Sequence, residues 1–173
     1  MQTPTPGTPE AGWTPPPQPP GPAPGLYFAP HGARLVAYIV DGLILSLVFI
    51  VGTLVALAPL VVVSEPGTID AESGVAVLVM LALILVTTVV GLAYFPWFWA
   101  RGGSTPGMRL FHLRVVRDRD GGPVSWGSAI LRLIGYWVSA TVFYIGFIWI
   151  FFDDRRRGWH DLIAGTVVIE EPR

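Results

Sequence analysis

The chain has 173 residues, of which 52% are hydrophobic and only 13% are charged, and its net charge is −1. Soluble domains carry about 25% charged residues, so this composition excludes an ordinary soluble domain and favours an integral membrane protein. The net charge near zero excludes a strongly basic nucleic-acid-binding protein, and the lack of cysteine excludes disulfides and thiolate metal sites.

The first 30 residues are rich in proline, glycine and threonine and include the run TPPPQPPGPAPG. Such a segment cannot bury much apolar surface, so residues 1–30 are predicted to be a disordered cytoplasmic tail with polyproline II character. The tail is either a solvated tether or a ligand for a proline-binding module. Residues 31–170 are then the transmembrane domain.

A long apolar stretch at residues 35–63 predicts the first transmembrane helix. Arg34 directly precedes this stretch and Asp41 lies within it, with Tyr38 between them on the same helical face. An ionised carboxylate within the membrane is costly, so Asp41 should face the bundle interior. It serves either as the structural partner of an arginine or as the binding site of a cation or proton.

Arg34 also has two interpretations. Its side chain either extends to the cytoplasmic interface or neutralises a carboxylate, a role that suits its planar guanidinium. Two helical turns separate Arg34 from Asp41 by about 10 Å along the axis, so Asp161 is the easier partner.

The next segments set the expected topology. Residues 64–74 form a loop with three acidic residues and no basic one, and residues 75–100 predict a second span that ends in an aromatic cluster. Residues 101–128 are polar and carry five arginines. The excess of arginine in this loop predicts that the loop and the N-terminus are cytoplasmic, in a multi-pass protein of the inner (plasma) membrane.

Two short segments carry β-type patterns. Residues 110–116 alternate in part between apolar and polar, which suggests a short strand, and precede a turn at residues 118–123. Residues 165–169 are β-branched, and their expected partner is residues 113–116. We expect the two segments to pair on the cytoplasmic side.

Residues 129–152 are apolar, interrupted by Arg132, and are followed by three arginines at residues 155–157. A single crossing would place those arginines outside, against the positive-inside rule, so two short helices forming a hairpin are predicted. The arginine run is expected to face anionic lipid headgroups. The predicted fold class is therefore an all-α membrane protein with two long transmembrane helices, a C-terminal hydrophobic helical hairpin and a small cytoplasmic β-pairing.

Three motifs in this order resemble the RDD family of bacterial membrane proteins, which is named for one arginine and two aspartates. Arg34 and Asp41 match the arginine and the first aspartate at the first helix. Residues 103–109 (GSTPGMR) match the stretch after the second span, and residues 160–166 (HDLIAGT) match the closing motif. Asp161 is thereby assigned as the second aspartate, with Asp153 and Asp154 as the alternatives.

The resemblance implies transport, with cation/proton exchange as the expected activity. The residues themselves show no nucleophile–base pair or metal set at a recognisable spacing, so no enzyme and no cofactor are expected. The expected charge cluster and its supporting residues are Arg34, Asp41, Asp161, Thr105, Gly107, Arg109 and His160, with Arg109 or Arg132 as a further cation. His160 is a proton relay, a metal ligand or an interfacial residue, and no metal is expected because the chain has only three histidines.

The expected partners are the lipid bilayer, a small cation, and either further copies of the chain or a partner membrane protein. The alternative function is a structural or accessory membrane module that recruits partners through the Pro-rich tail.

Overall fold

The structure is a computed structural model that describes residues 20–63 and 71–171. Most of the predicted tail (residues 1–19) and most of the acidic loop (residues 64–70) lie outside the described residues. Predictions about those two segments are therefore not tested.

Two long antiparallel helices form the membrane part, α1 at His31–Val63 and α2 at Ala71–Gly102. Each contains a 29-residue segment apolar enough to cross a membrane, with mean hydropathy 2.5 and 2.9. The helices approach closely in the membrane, where Gly52 packs on Thr87 and Gly91 packs on Phe49. Both predicted spans are thus confirmed.

A short polar segment follows α2. Helix α3 at Pro106–Leu110 begins at Thr105, whose hydroxyl accepts a hydrogen bond from the Met108 amide at 3.2 Å. Proline at the first helical position suits this start, because its missing N–H would have had no helical partner. Strand β2 at Leu113–Arg117 comes directly after α3.

The predicted hairpin is also confirmed. Helix α4 at Trp126–Thr141 and helix α5 at Ile145–Ile148, which a 3₁₀ turn extends to Phe151, meet at an angle of 113°. Phe143 and Tyr144 at the turn have positive φ angles and exposed side chains. Gly146 makes the fold-back feasible, since a Cβ there would lie 2.3 Å from the Ser139 hydroxyl oxygen.

Helix α6 at Trp159–Ala164 ends at Gly165, and strand β3 at Thr166–Glu170 follows. Strand β3 pairs antiparallel with β2, in the register Val115 to Val168, which confirms the predicted pairing. Gly165 does not belong to the strand: with φ of 62° it caps α6 in the left-handed conformation that glycine adopts readily.

A third strand extends this sheet. Strand β1 at Tyr27–Phe28 pairs with the other edge of β3, giving the order β1-β3-β2. Ahead of it, Gly21 donates a backbone hydrogen bond to the Leu26 carbonyl oxygen at 2.7 Å. Residues 20–30 are therefore folded against the sheet, where the sequence predicted a disordered tail.

The sheet lies at the end of the bundle where α1 begins and α2 ends. Its inner face joins a core formed with both helices and with α4. The three strands come from before α1, after α2 and after the hairpin, so these three segments share one side of the membrane. Buried charged side chains lie beside this core.

Candidate functional site

Asp41 lies on α1 with only 2% of its surface exposed. Its Oδ1 accepts hydrogen bonds from the Tyr94 hydroxyl and the Gly107 amide, both at 2.9 Å, and its Oδ2 accepts one from the Thr105 hydroxyl. All three donors are neutral. Within the described residues, Asp41 forms no ion pair.

The segment after α2 is shaped to reach Asp41. The Thr105 hydroxyl accepts from the Met108 amide at the start of α3 while it donates to the carboxylate, so one side chain caps a helix and binds the site. Gly107 brings its amide to Asp41 from the first turn of α3. The GSTPGMR motif therefore forms the wall opposite α1.

A second buried group, the charged cluster of Arg34, Arg132 and Asp161, lies on α1, α4 and α6. Asp161 pairs with Arg34 through Oδ2 at 2.6 Å and with Arg132 through Oδ1. The side chains of Arg132 and Asp161 are fully buried, and that of Arg34 is 9% exposed. The cluster thus joins three elements that are distant in sequence.

The local fold positions Asp161 for this role. It is the third residue of α6, and its Oδ2 also accepts a hydrogen bond from the Gly158 amide at 3.1 Å. Burial disfavours the ionised form, but Arg132 and Arg34 outweigh burial and hold the pKa of Asp161 well below its usual range. Asp161 is therefore ionised, and the charged cluster carries a net charge of +1.

His160 packs next to the charged cluster. Its ring centroid is 4.3 Å from that of Tyr136, and its Nε2 is 3.3 Å from Asp161 Oδ2. Burial lowers the pKa of His160 to about 4, against the opposing influence of the Asp161 carboxylate. His160 is therefore neutral near pH 7, and its side chain is buried within the protein.

A cavity of about 30 Å³ separates Asp41 from the charged cluster. Its charged lining residues are Arg34, Asp41 and Arg132. The remaining lining is mostly aromatic and apolar, and includes Tyr38, Phe95, Trp99 and Tyr136. The predicted cluster therefore consists of two bonded groups that face one small cavity.

Arg109 does not belong to the site. Its side chain is exposed, and its guanidinium lies 5.9 Å from the ring centroid of Phe98. Of the two arginines considered as a further cation, Arg132 is the one that pairs with Asp161.

The arginine run at residues 155–157, which was expected to face lipid headgroups, makes its described contacts within the protein. Asp118 Oδ2 binds Arg155 at 3.1 Å and Arg157 at 2.8 Å. Arg156 donates to the carbonyl oxygens of Phe28 and Ala29. The hydrogen bonds from Arg157 outweigh burial and lower the pKa of Asp153, which pairs with Arg157 at 2.8 Å. These contacts hold β1, the turn after β2 and the end of the hairpin together.

Two contributors were missed by sequence reasoning. Tyr94 belongs to an aromatic cluster assigned to the membrane interface, yet its hydroxyl donates to Asp41. Trp99, from the same cluster, places its ring centroid 4.9 Å from the Arg132 guanidinium. Tyr94 and Trp99 are five residues apart on α2, a spacing that does not place them on one helical face, so the sequence offered no signal that joins them.

Comparison with known proteins gives consistent matches. The model of the RDD family matches residues 28–165. An uncharacterized protein of Bacillus subtilis, YxaI, is 32% identical over 144 residues, covering 79% of this chain and 93% of that protein. A proline-rich antigen homolog of Mycobacterium tuberculosis is 29% identical over 47% of this chain, but only 36% of that protein is covered.

The uncharacterized membrane protein YteJ of Bacillus subtilis is 31% identical over 91 residues, covering 52% of this chain and 54% of that protein. No solved structure matches the chain. The family match contains Arg34, Asp41, Arg132 and Asp161 together. With most of its length matched, two membrane-spanning helices and the arginine–aspartate contacts in place, this chain belongs to the RDD family.

Proposed function

We propose that this membrane protein transports a small ion coupled to protons, with Asp41 as the group that takes up and releases the proton. The observation that carries the proposal is the bonding of Asp41, a buried carboxylate within a membrane span whose three hydrogen-bond donors are all neutral. Ionisable residues inside a membrane span are typical of ion and proton pathways.

The surroundings favour a proton over a metal cation at Asp41. A proton binds one carboxylate oxygen and needs no further ligands, whereas a metal cation needs several oxygen ligands. Among the described residues that line the cavity, Asp41 supplies the one carboxylate, and Arg34 and Arg132 take up the space beside it. Of the cation/proton exchange that the family resemblance implies, this proposal keeps the proton and leaves the coupled ion open.

The proposed orientation of the protein in the membrane follows from the distribution of its charged residues. The arginines of the described residues lie near the sheet end of the helices, including Arg132, which donates to Thr166 at the start of β3, whereas residues 64–74 carry three acidic residues and no basic one. The positive-inside rule supports a cytoplasmic sheet and N-terminus in the plasma membrane. Two spans and a bent helix pair are few for alternating access, so we propose that the transporting unit is a homo-oligomer.

The test is proton flux into proteoliposomes, reported by a pH-sensitive dye inside the vesicles. Asp41→Asn removes the titratable group and nearly preserves shape, so flux should fall to the level of empty vesicles. Asp120→Asn is the matched control, since Asp120 is exposed on the polar side and its loss should leave flux unchanged. Wild-type flux in Asp41→Asn would refute the role of Asp41.

The second candidate is an accessory module without transport. It is favoured by the charged cluster, in which Asp161 is satisfied by Arg34, Arg132 and the Gly158 amide and binds α1, α4 and α6 together. In that case the Asp41 site is a second structural contact, and partner recruitment depends on the Pro-rich tail. Asp41→Asn would then lower stability and leave no flux to lose.

A further inference from the structure

Arg132 has unused hydrogen-bonding capacity. Its Nη1 donates to Asp161 and, at 2.7 Å, to the Thr166 hydroxyl oxygen. Its Nε and Nη2 are buried and have no partner among the described residues. The side chain is 0% exposed, and leaving buried charged donors unbonded is costly. Because Arg132 also lines the cavity, these donors point to an occupant there.

The cavity has the size of a small ion. A single water needs about 10–15 Å³ of such volume, so the 30 Å³ present here admits one monatomic anion or about two waters. The Trp99 ring also lines the cavity, with its centroid 4.9 Å from the Arg132 guanidinium.

The charges in the cavity select the sign of this ion. From α1 come Arg34, Asp41 and Tyr38, and from α4 come Arg132 and Tyr136. The charged cluster of Arg34, Arg132 and Asp161 has a net charge of +1. Among the residues that line the cavity, only an ionised Asp41 balances this charge. The tyrosines keep their protons near neutral pH and add no charge. Once Asp41 takes a proton, one buried positive charge remains uncompensated.

We propose that the cavity is a binding site for a small monovalent anion of halide size, held by Arg132 and Arg34 and occupied when Asp41 is protonated. This inference rests on the proposed function, since it names the ion coupled to the proton. Binding of the proton and the anion is then mutually reinforcing, because each removes the charge imbalance that the other leaves. The consequence is movement of an anion and a proton in the same direction.

The test uses the full chain in detergent at pH 7.5, with chloride exchanged for gluconate at constant ionic strength. Asp41→Asn represents the protonated carboxyl. Its melting temperature should rise with chloride, and its apparent chloride affinity should exceed that of the wild type at least tenfold. Adding Arg132→Lys keeps a positive charge opposite Asp161 but removes the free Nε and Nη2, so the chloride effect should disappear. Arg109→Lys, outside the cavity, should leave it unchanged.

A direct measurement keeps the inference testable if the Arg132 variant does not fold. Crystals of Asp41→Asn grown in bromide should show an anomalous peak in the cavity beside Arg132. Equal chloride affinity in the wild type and Asp41→Asn, or an empty or water-filled cavity in bromide, would overturn the anion site. Neither result depends on flux: chloride binding without proton flux would refute transport alone, and flux without chloride binding would refute the anion alone.

Discussion

Gly107 lies against Asp41 with no space for a side chain. A Cβ at position 107 would be 2.9 Å from the Asp41 carboxylate carbon and 2.3 Å from the carbonyl oxygen of Ala37 on the same helix. This close approach allows the Gly107 amide to donate to the carboxylate at 2.9 Å. The glycine of the GSTPGMR motif therefore sets the distance between α3 and α1.

Gly107→Ala is expected to push α3 away from α1 and break the bonds to Asp41. The added methyl meets backbone, which cannot move aside cheaply, so stability should fall by about 1–3 kcal/mol. Gly127→Ala is the control, because the nearest atom to its Cβ is 3.9 Å away and alanine favours a helix. Thermal unfolding in detergent measures both variants. An unchanged melting temperature for Gly107→Ala would show that the contact can relax.

The charged cluster predicts an order of stability losses. Asp161→Asn leaves Arg34 and Arg132 without their carboxylate and should cost about 3–5 kcal/mol, whereas Arg34→Gln leaves Asp161 paired with buried Arg132 and should cost less. Arg119→Gln, whose side chain is 76% exposed, should change stability by less than about 0.5 kcal/mol. Chemical unfolding of the three variants gives the order, and a larger loss for Arg34→Gln than for Asp161→Asn would contradict it.

The long elements of this fold are predictable from sequence because hydropathy and the distribution of arginine report on the membrane directly. Sequence reasoning did not predict strand β1, because the strand is only two residues long and lies in a Pro- and Gly-rich segment whose composition favours disorder. The fold-back of the hairpin was predictable from charge, but its angle depends on the contact between Gly146 and Ser139.

The sequence predicted most residues of the candidate site, but not the hydrogen bonds and ion pairs that they form. Helical spacing argues against a direct bond between Arg34 and Asp41, and in the structure Arg34 forms its ion pair with Asp161 instead. The partners of Asp41 come from Tyr94 and from the segment after α2, contacts that only the packing of α1 on α2 and α3 creates. Similarly, the free nitrogens of Arg132 follow from burial and have no sequence signature.

Topology gives a prediction that the chain itself makes easy to test, because it has no native cysteine. Single cysteines at Arg119, on the sheet side, and at Gly74, at the opposite end of α2, should differ in their reaction with an impermeant thiol reagent. In intact cells the reagent should label the cysteine at 74 and spare the one at 119, which reacts only after permeabilisation. Labelling of position 119 in intact cells would reverse the proposed orientation.

Titration of His160 is expected to make the stability of the protein depend on pH. Its pKa is about 4 in the folded protein because of burial, and about 6.5 when the chain unfolds. Between these values the unfolded state binds more protons, so stability is complete above about pH 6.5 and falls as the pH is lowered towards 4. From pH 7 to pH 5 the loss should be about 2 kcal/mol. Asp161 does not contribute in this range, since its carboxyl is ionised in both states.

His160→Gln separates this effect from the other titrating groups, because glutamine is neutral at every pH. The variant starts from a lower stability, because it loses the ring packed against Tyr136, so the quantity to compare is the change with pH and not the absolute value. Chemical unfolding in detergent at pH 7, 6 and 5 should give a loss in the wild type that is about 2 kcal/mol larger than in His160→Gln. Parallel pH profiles for the two proteins would mean that water reaches the ring and that His160 titrates as it does in the unfolded chain.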